Sequence, residues 1–153
     1  MQSSADGDVV IAKLEDGDDL LRSLDALAAK HRIASGMVMW GIGMLRDFEI
    51  GYFNGKEYER ATYAEPMELL ALHGSYAAKA DPRAHVHTAA AGRDHRVVGG
   101  HLFRATVAVL NEICVQRLRA AKLTRVLNPR SGLRELAIDV PEDGAPPRTP
   151  RRR

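Results

Sequence analysis

The sequence predicts a single α+β domain, because one amphipathic helical segment is followed by a long series of strand-like segments. The chain of 153 residues lies within the usual size of one domain and is long enough to bury a core. Leucines at helical spacing are confined to residues 18–31. From residue 37 onward, short stretches alternate between apolar and polar residues or are apolar throughout, as is typical of strands. No repeat at a fixed period interrupts this organisation.

The helix has both a start signal and a buried face. Asp18 and Asp19 offer carboxylates that can accept a hydrogen bond from the first free backbone N–H groups. The residues that follow at helical spacing form one apolar stripe, and they are Leu20, Leu21, Leu24, Leu27 and Ala28. We expect this stripe to face the core.

The strand-like segments bracket the helix and then run to the end of the domain. Asn54 and Gly55 tolerate positive φ, so this pair predicts a hairpin turn between two of the segments. The predicted strands are residues 9–14, 37–44, 48–53, 57–63, 67–76, 84–90, 96–101, 106–118, 122–127 and 133–140.

Composition excludes several classes of protein. Hydrophobic residues make up 45% and charged residues 27%, which is ordinary for a globular protein. No apolar run reaches the roughly 20 residues that span a bilayer. The first eight residues are polar and acidic, unlike a signal peptide, so we expect a cytoplasmic location. A lone cysteine, Cys114, excludes an internal disulfide and a multi-cysteine zinc site.

The net charge of +2 lies entirely in the C-terminal tail. Residues 141–153 carry four arginines against Glu142 and Asp143, and four of the seven prolines, so we expect a disordered basic tail after a domain over residues 1–140. The domain itself then has no net charge. Because affinity for nucleic acid depends largely on neutralising phosphates, this balance disfavours strong DNA binding but leaves room for a local patch.

Three of the six histidines have the spacing of a metal site. His85 and His87 form a His-x-His pair, and on a strand such side chains share one face, about 6.6 Å apart along the chain. His101 follows two glycines, which allow another backbone or a ligand to come close. A neighbouring strand can therefore bring His101 to the pair as a third ligand. Three imidazoles with one vacant position are typical of an open zinc site, although a His-x-His pair also occurs by chance.

Several motifs, taken in order, resemble the plants-and-prokaryotes-conserved (PPC) family of small bacterial and archaeal proteins, whose plant relatives carry AT-hooks. The motifs are Gly41-Ile-Gly43, Glu65-Pro-Met-Glu-Leu-Leu-Ala-Leu-His-Gly74, His85-Val-His87 and Val98-Gly-Gly-His-Leu102. The resemblance extends from about residue 9 to residue 140. His-x-His together with Gly-Gly-His-Leu is a fairly specific combination.

The resemblance implies a fold, an assembly and a ligand set. The expected fold is a mixed, mostly antiparallel sheet with one or two helices, assembled as a homotrimer. The metal implied is zinc, held by three histidines that correspond here to His85, His87 and His101. Nickel, copper or iron are alternatives, because imidazole also binds these metals.

Glu68 is the acidic residue that the sequence places in an apolar neighbourhood. Alternation along residues 67–76 puts its side chain on the same face as Leu70 and Leu72. A carboxylate in such surroundings can act as an acid or base or orient a histidine, and it can equally be a structural partner of an arginine.

A basic cluster without acidic residues follows Ile113 and offers the phosphate contacts expected of a DNA-binding surface. Its candidate nucleic-acid contacts are Arg117, Arg119, Lys122 and Arg125. A solvated strand face explains the same pattern. The tail, residues 141–153, lacks the Arg-Gly-Arg-Pro core of an AT-hook, so the DNA binding of the plant proteins does not transfer through that motif.

Three functions remain open from the sequence. The first is a metal-binding, DNA-associated regulatory protein. The second is a zinc enzyme acting on a small carbonyl or carboxylate substrate, similar to acetolactate decarboxylase, with Glu68 moving protons and an arginine such as Arg104 binding a carboxylate. The third is a structural zinc that stabilises the trimer. Self-association is expected in all three, and no membrane partner is expected.

Overall fold

The computed structural model describes residues 1–139 and contains one helix and nine strands over that range. Asp19 caps the helix by accepting a hydrogen bond from the backbone N–H of Arg22, and the predicted leucine stripe is buried, except that Leu21 is only partly covered. The elements are β1 (Gln2–Asp6), β2 (Val9–Glu15), α1 (Leu20–Lys30), β3 (Ser35–Phe53), β4 (Tyr58–Tyr63), β5 (Met67–Ala77), β6 (Ala84–Ala91), β7 (Val97–Arg117), β8 (Leu123–Leu127) and β9 (Arg134–Ile138).

Seven strands form one sheet in the order β1-β2-β7-β6-β5-β3-β4, and β7 also pairs with β3. The pairings β3–β5, β5–β6, β6–β7 and β7–β3 therefore close a ring of four strands. Every strand pairing within residues 1–139 is antiparallel, which confirms a mostly antiparallel α+β fold and gives no parallel component there. Strands β8 and β9 form a separate hairpin.

Two pairs of predicted strands are each one long strand in the structure. Strand β3 joins the predicted 37–44 and 48–53, and β7 joins the predicted 96–101 and 106–118. Irregularities in the β3–β7 register, for example between Gly43 and Met44, let both strands bend around the ring without ending. Charged residues such as Arg46 and Asp47 interrupt the apolar pattern at these bends, which explains why the sequence suggests two strands.

Glycine allows the strands to approach closely beside the histidines. A Cβ atom on Gly100 would lie 2.6 Å from the carbonyl oxygen of Gly51, and one on Gly74 would lie 2.0 Å from that of His85. Only glycine fits at these two positions without a shift of the backbone. The close approach at Gly100 holds β7 against β3 at the level of His101.

The predicted turn at Asn54-Gly55 lies within the described residues, whereas the predicted tail does not. The Asn54-Gly55 turn is confirmed, with Gly55 at a φ of 97° and Asn54 accepting the backbone N–H groups of Lys56 and Glu57. The predicted tail, residues 141–153, lies outside the described residues, so the boundary at residue 140 stays a prediction. No helix within residues 1–139 is long and apolar enough to cross a membrane.

Candidate metal centre

Three histidines converge on the outer face of β6 and β7. His85 and His87 stand two residues apart on β6, and His101 of β7 is the direct cross-strand partner of His87. Residues in such register have Cβ atoms about 4.5–5.5 Å apart on one face. One ring nitrogen of each histidine lies within 4.8 Å of the others. The structure thus brings together the three residues that the sequence selected as metal ligands.

The donor atoms fit a shared metal ion. The Nε2 atoms of His85 and His87 are 3.2 Å apart. Two ligands at ~2.0–2.1 Å from a tetrahedral ion are separated by about 3.4 Å, so the observed spacing is close to that requirement. Nδ1 of His101 is buried and has no hydrogen-bond partner. Buried polar atoms are nearly always paired, and an unpaired imidazole nitrogen is what a ligand would complete.

The surroundings favour the neutral imidazoles of His85 and His101, and the neutral form is the one that binds metals. Burial, followed by repulsion from His85 and His87 and from Arg125 and Arg60, lowers the pKa of His101 to about 4. Burial also lowers the pKa of His85, with smaller contributions from Arg125 and His87. His85 and His101 therefore each offer a lone pair at neutral pH.

Aromatic rings fix the orientation of His101. The ring centroids of Phe103 and Tyr58 lie 4.6 Å and 5.1 Å from that of His101. Phe103 is in turn covered by the guanidinium of Arg60, 3.8 Å from its ring centroid. These contacts restrict rotation of the imidazole and hold it towards β6.

The histidines lie in a cavity of about 600 Å³ between the sheet and the β8–β9 hairpin. Its walls combine aromatic and aliphatic side chains with a few polar groups, as is usual for small-molecule sites. The hairpin contributes three charged residues to the cavity, which are Arg125 of β8 and Arg134 and Glu135 of β9. Hydrogen bonds from Asn128 and Ser131 engage Glu135 and lower its pKa.

Glu68 lies outside the cavity of the three histidines, and its acid–base role stays a prediction. The register of β5 and β6 shifts between Leu69 and Ala71, and this bulge breaks the alternation on which the prediction relied. Glu68 is exposed and pairs with Ala91, about 13 Å along the strand from His87. It does not line the histidine cavity.

The four predicted nucleic-acid contacts are not equivalent in the structure. Arg125 is 5% exposed and lines the cavity, so it cannot form part of a surface stripe. Arg117 and Arg119 both form ion pairs with Asp8, at 3.8 Å and 2.7 Å. Lys122 is exposed. A continuous basic stripe is therefore not formed, and Arg119 and Lys122 remain as exposed cations.

Two further residues, Arg104 and His73, lie outside the cavity. Arg104 is directed to the carboxylate of Glu49, at 3.3 Å, and does not line the cavity. His73 is the cross-strand partner of His87 on β5 and is exposed, but within residues 1–139 it does not belong to the converging group. Arg125 was predicted to be a surface cation and is a buried cavity residue. Leu123, two positions earlier on the same strand face, is the signal for that burial.

Residues 1–119 match the Plants and Prokaryotes Conserved (PCC) domain, the family also written PPC. The chain belongs to this family. The matched range includes the three histidines and ends before β8 and β9. No curated protein matches the chain in sequence.

Solved structures of PCC-like proteins share the fold. A metal-containing protein from Archaeoglobus fulgidus is 30% identical, with a TM-score of 0.76 over 86% of this chain and 94% of that one. A plant- and prokaryote-conserved protein from Pyrococcus horikoshii is 28% identical, with a TM-score of 0.74 over 88% and 94%. A "putative DNA-binding protein" from Bacteroides thetaiotaomicron is 24% identical, with a TM-score of 0.80 over 89% and 96%.

Proposed function

We propose that this PCC-domain protein binds one divalent transition metal ion, zinc in the first instance, through His85, His87 and His101. The observation that carries the proposal is the convergence of three ring nitrogens within 4.8 Å at the wall of a 600 Å³ cavity. The metal-containing relative from Archaeoglobus fulgidus supports it. Three protein ligands leave a coordination position for a small molecule, which distinguishes the site from a closed structural one.

A bound zinc ion would supply a Lewis acid that polarises a ligand oxygen. The chain's own residues would do the rest. Tyr58 and Phe103 hold His101 in place, and residues of the β8–β9 hairpin form one wall of the cavity. Because Glu68 lies elsewhere, the site as built favours binding of a small molecule, and an enzymatic role would need a different proton-transfer group.

Metal content of the purified protein tests the proposal. We expect about one zinc per chain in the wild type and little in His87→Ala, since two imidazoles bind zinc much more weakly than three. His73→Ala is the matched control, because His73 is exposed and lies directly opposite His87 on β5 but outside the group. Absence of metal from the wild type, or equal loss in both variants, would contradict the proposal.

A second candidate function is association with DNA. The support comes from the relatives named as DNA-binding from Bacteroides thetaiotaomicron and Ralstonia eutropha, which share the fold at 24% identity, and from the exposed cations Arg119 and Lys122. Gel-shift experiments at increasing salt concentration test whether the protein binds DNA. Binding that persists near physiological salt and weakens in Arg119→Ala/Lys122→Ala supports the function. Binding that vanishes at modest salt excludes it.

We also propose a homotrimer. Ile11, Trp40 and Ile42 are 44%, 37% and 47% exposed. They lie on β2 and β3, which flank β7, because Ile11 and Trp40 both pair with Cys114 of β7. Exposed apolar groups of this kind mark interaction surfaces. Light scattering should give three times the chain mass for the wild type and a smaller mass for Ile42→Asp, and a monomeric wild type would contradict the assembly.

A further inference from the structure

Arg125 is a buried cation at the wall of the histidine cavity. It extends from β8, and only 5% of its surface is exposed. Its Nε donates to the carbonyl oxygen of Pro82 at 3.0 Å, and its Nη2 donates to Oγ of Ser75 at 3.0 Å. These partners fix the plane of the guanidinium. Long charged side chains are rarely buried in this way without a counter-charge.

The positive charge of Arg125 is not neutralised within residues 1–139. Its contacts there are a hydroxyl group and backbone carbonyl oxygens, and none is a carboxylate. Its Nη1 is buried and has no hydrogen-bond partner. An unpaired buried charge is costly, and an anion placed beside it would remove that cost. The guanidinium is thus arranged to receive one more acceptor.

Arg125 lies in the wall of the cavity that also contains the histidines. Arg125, His85 and His101 line the same cavity, and the positive charge of Arg125 acts on both imidazoles. In the same wall the carboxylate of Glu135 is already engaged in hydrogen bonds, and Arg134 is exposed. A ligand that enters the cavity therefore meets the histidine imidazoles and a buried guanidinium that no carboxylate neutralises.

We propose that the cavity binds a small carboxylate whose anionic group pairs with Arg125 while a second oxygen faces the histidines. The second contact rests on the proposed metal at His85, His87 and His101. A carboxylate oxygen accepts a hydrogen bond from the free Nη1 of a charged guanidinium more strongly than a neutral carbonyl oxygen does, which favours this class over a neutral carbonyl compound. Small 2-oxo and 2-hydroxy acids have both oxygen functions at the required ends. Tyr58, Phe103 and Leu136 offer apolar surface to the rest of such a molecule.

Arg125 and the histidines come from different parts of the chain relative to the family match. Residue 125 lies in β8, beyond the range 1–119 that matches the family. The three histidines lie inside that range. The proposed contact to the carboxylate therefore comes from the segment that follows the family match, whereas the proposed metal ligands come from the matched segment.

Calorimetric titration of the zinc-loaded protein with pyruvate and with its neutral amide, pyruvamide, tests the proposal. We expect the wild type to prefer pyruvate by about tenfold or more, since only pyruvate offers a charged acceptor to Arg125. In Arg125→Gln the affinity for pyruvate should fall roughly tenfold to hundredfold, the range for loss of a charge-assisted hydrogen bond. The affinity for pyruvamide should not change, and zinc content should stay at the wild-type level.

Two controls keep the result interpretable. Arg104→Gln removes an arginine that binds Glu49 outside the cavity, and it should titrate like the wild type. If Arg125→Gln does not fold, the preference for pyruvate over pyruvamide in the wild type decides, together with Arg125→Lys, which keeps the charge and should keep part of the preference. Equal affinity of the wild type for both probes, or an unchanged pyruvate affinity in folded Arg125→Gln, overturns the carboxylate site.

Failure of the metal proposal can be distinguished from failure of the carboxylate proposal. Elemental analysis would then find no zinc in the wild type before any titration is made. The same titrations on that zinc-free protein then test Arg125 alone: a remaining preference for pyruvate keeps the anion site without the metal, and no preference overturns both.

Discussion

Two clusters of polar side chains lie close together on this protein, and they differ in how completely their members are paired. At the surface, Glu49 accepts hydrogen bonds from Arg60 at 2.8 Å and from Arg104 at 3.3 Å. In the cavity, Nδ1 of His101 and Nη1 of Arg125 are buried without partners. The carboxylate of the surface cluster is paired within the protein, whereas the cavity contains buried nitrogen atoms that only an external molecule can pair.

Arg60 contacts residues of both clusters. It pairs with Glu49 and also stacks its guanidinium on Phe103, the ring that packs against His101. Complete pairing at Glu49 thus supports the outer side of the site without taking part in it. We infer that changes in the cavity should alter ligand binding, and that changes at Glu49 should alter stability only slightly.

The largest expected effect is stabilisation by zinc. At a free concentration of a hundred times its Kd, zinc should raise the free energy of unfolding of the wild type by about 2.7 kcal/mol. Thermal unfolding of His85→Ala/His87→Ala should show no comparable increase, because the ligand pair is gone. Glu49→Gln should respond to zinc like the wild type. A zinc response that disappears equally in both variants would remove the distinction between the clusters.

A smaller effect is expected at Ser75, which is 8% exposed and accepts a hydrogen bond from Nη2 of Arg125. Ser75→Ala removes the hydroxyl acceptor but leaves Nη2 its bond to the backbone oxygen of residue 75, so the loss should be about 0.5–1.5 kcal/mol, as for one ordinary hydrogen bond. Urea unfolding measures the loss. Ser4→Ala, on the exposed edge strand β1, is the matched control and should be close to neutral. Equal stability of both variants would show that Arg125 does not depend on Ser75.

The smallest effect is expected at Glu49. Hydrogen bonds from Arg60 and then from Arg104 lower the pKa of Glu49 below its ordinary value. A carboxyl group with a lowered pKa in the folded state stabilises the protein above its ordinary pKa, and this contribution is lost as the pH falls through the lowered value. Urea unfolding of the wild type and Glu49→Gln should therefore differ slightly at neutral pH and converge in acid. A difference that grows on acidification would contradict this sign.

The sequence predicted those parts of the site that depend on local periodicity. His85 and His87 share a face because strand side chains alternate, and the two glycines before His101 indicated a close approach that brings β7 to β6 and β3. The helix and most strands followed from the same rules. The edge strand β1 was missed, because its polar sequence has no buried face to generate a pattern.

Features that depend on register and long-range packing were not predictable from one sequence. The bulge at Leu70 moves Glu68 out of the apolar face, and no residue type at that position signals it. Arg125 was interpreted with its basic neighbours as a surface residue. Its burial follows from the way the β8–β9 hairpin covers the histidines, where Ser75 and Pro82 of other segments receive its donors.

Anomalous diffraction at the zinc edge, from crystals of the zinc-loaded protein, would show whether the three histidines hold the metal. We predict one strong peak per chain, at ~2.0–2.1 Å from a ring nitrogen of each of His85, His87 and His101, facing the cavity that contains Arg125. A peak held by other residues, or no peak at the three histidines in a protein shown to contain zinc, would contradict it.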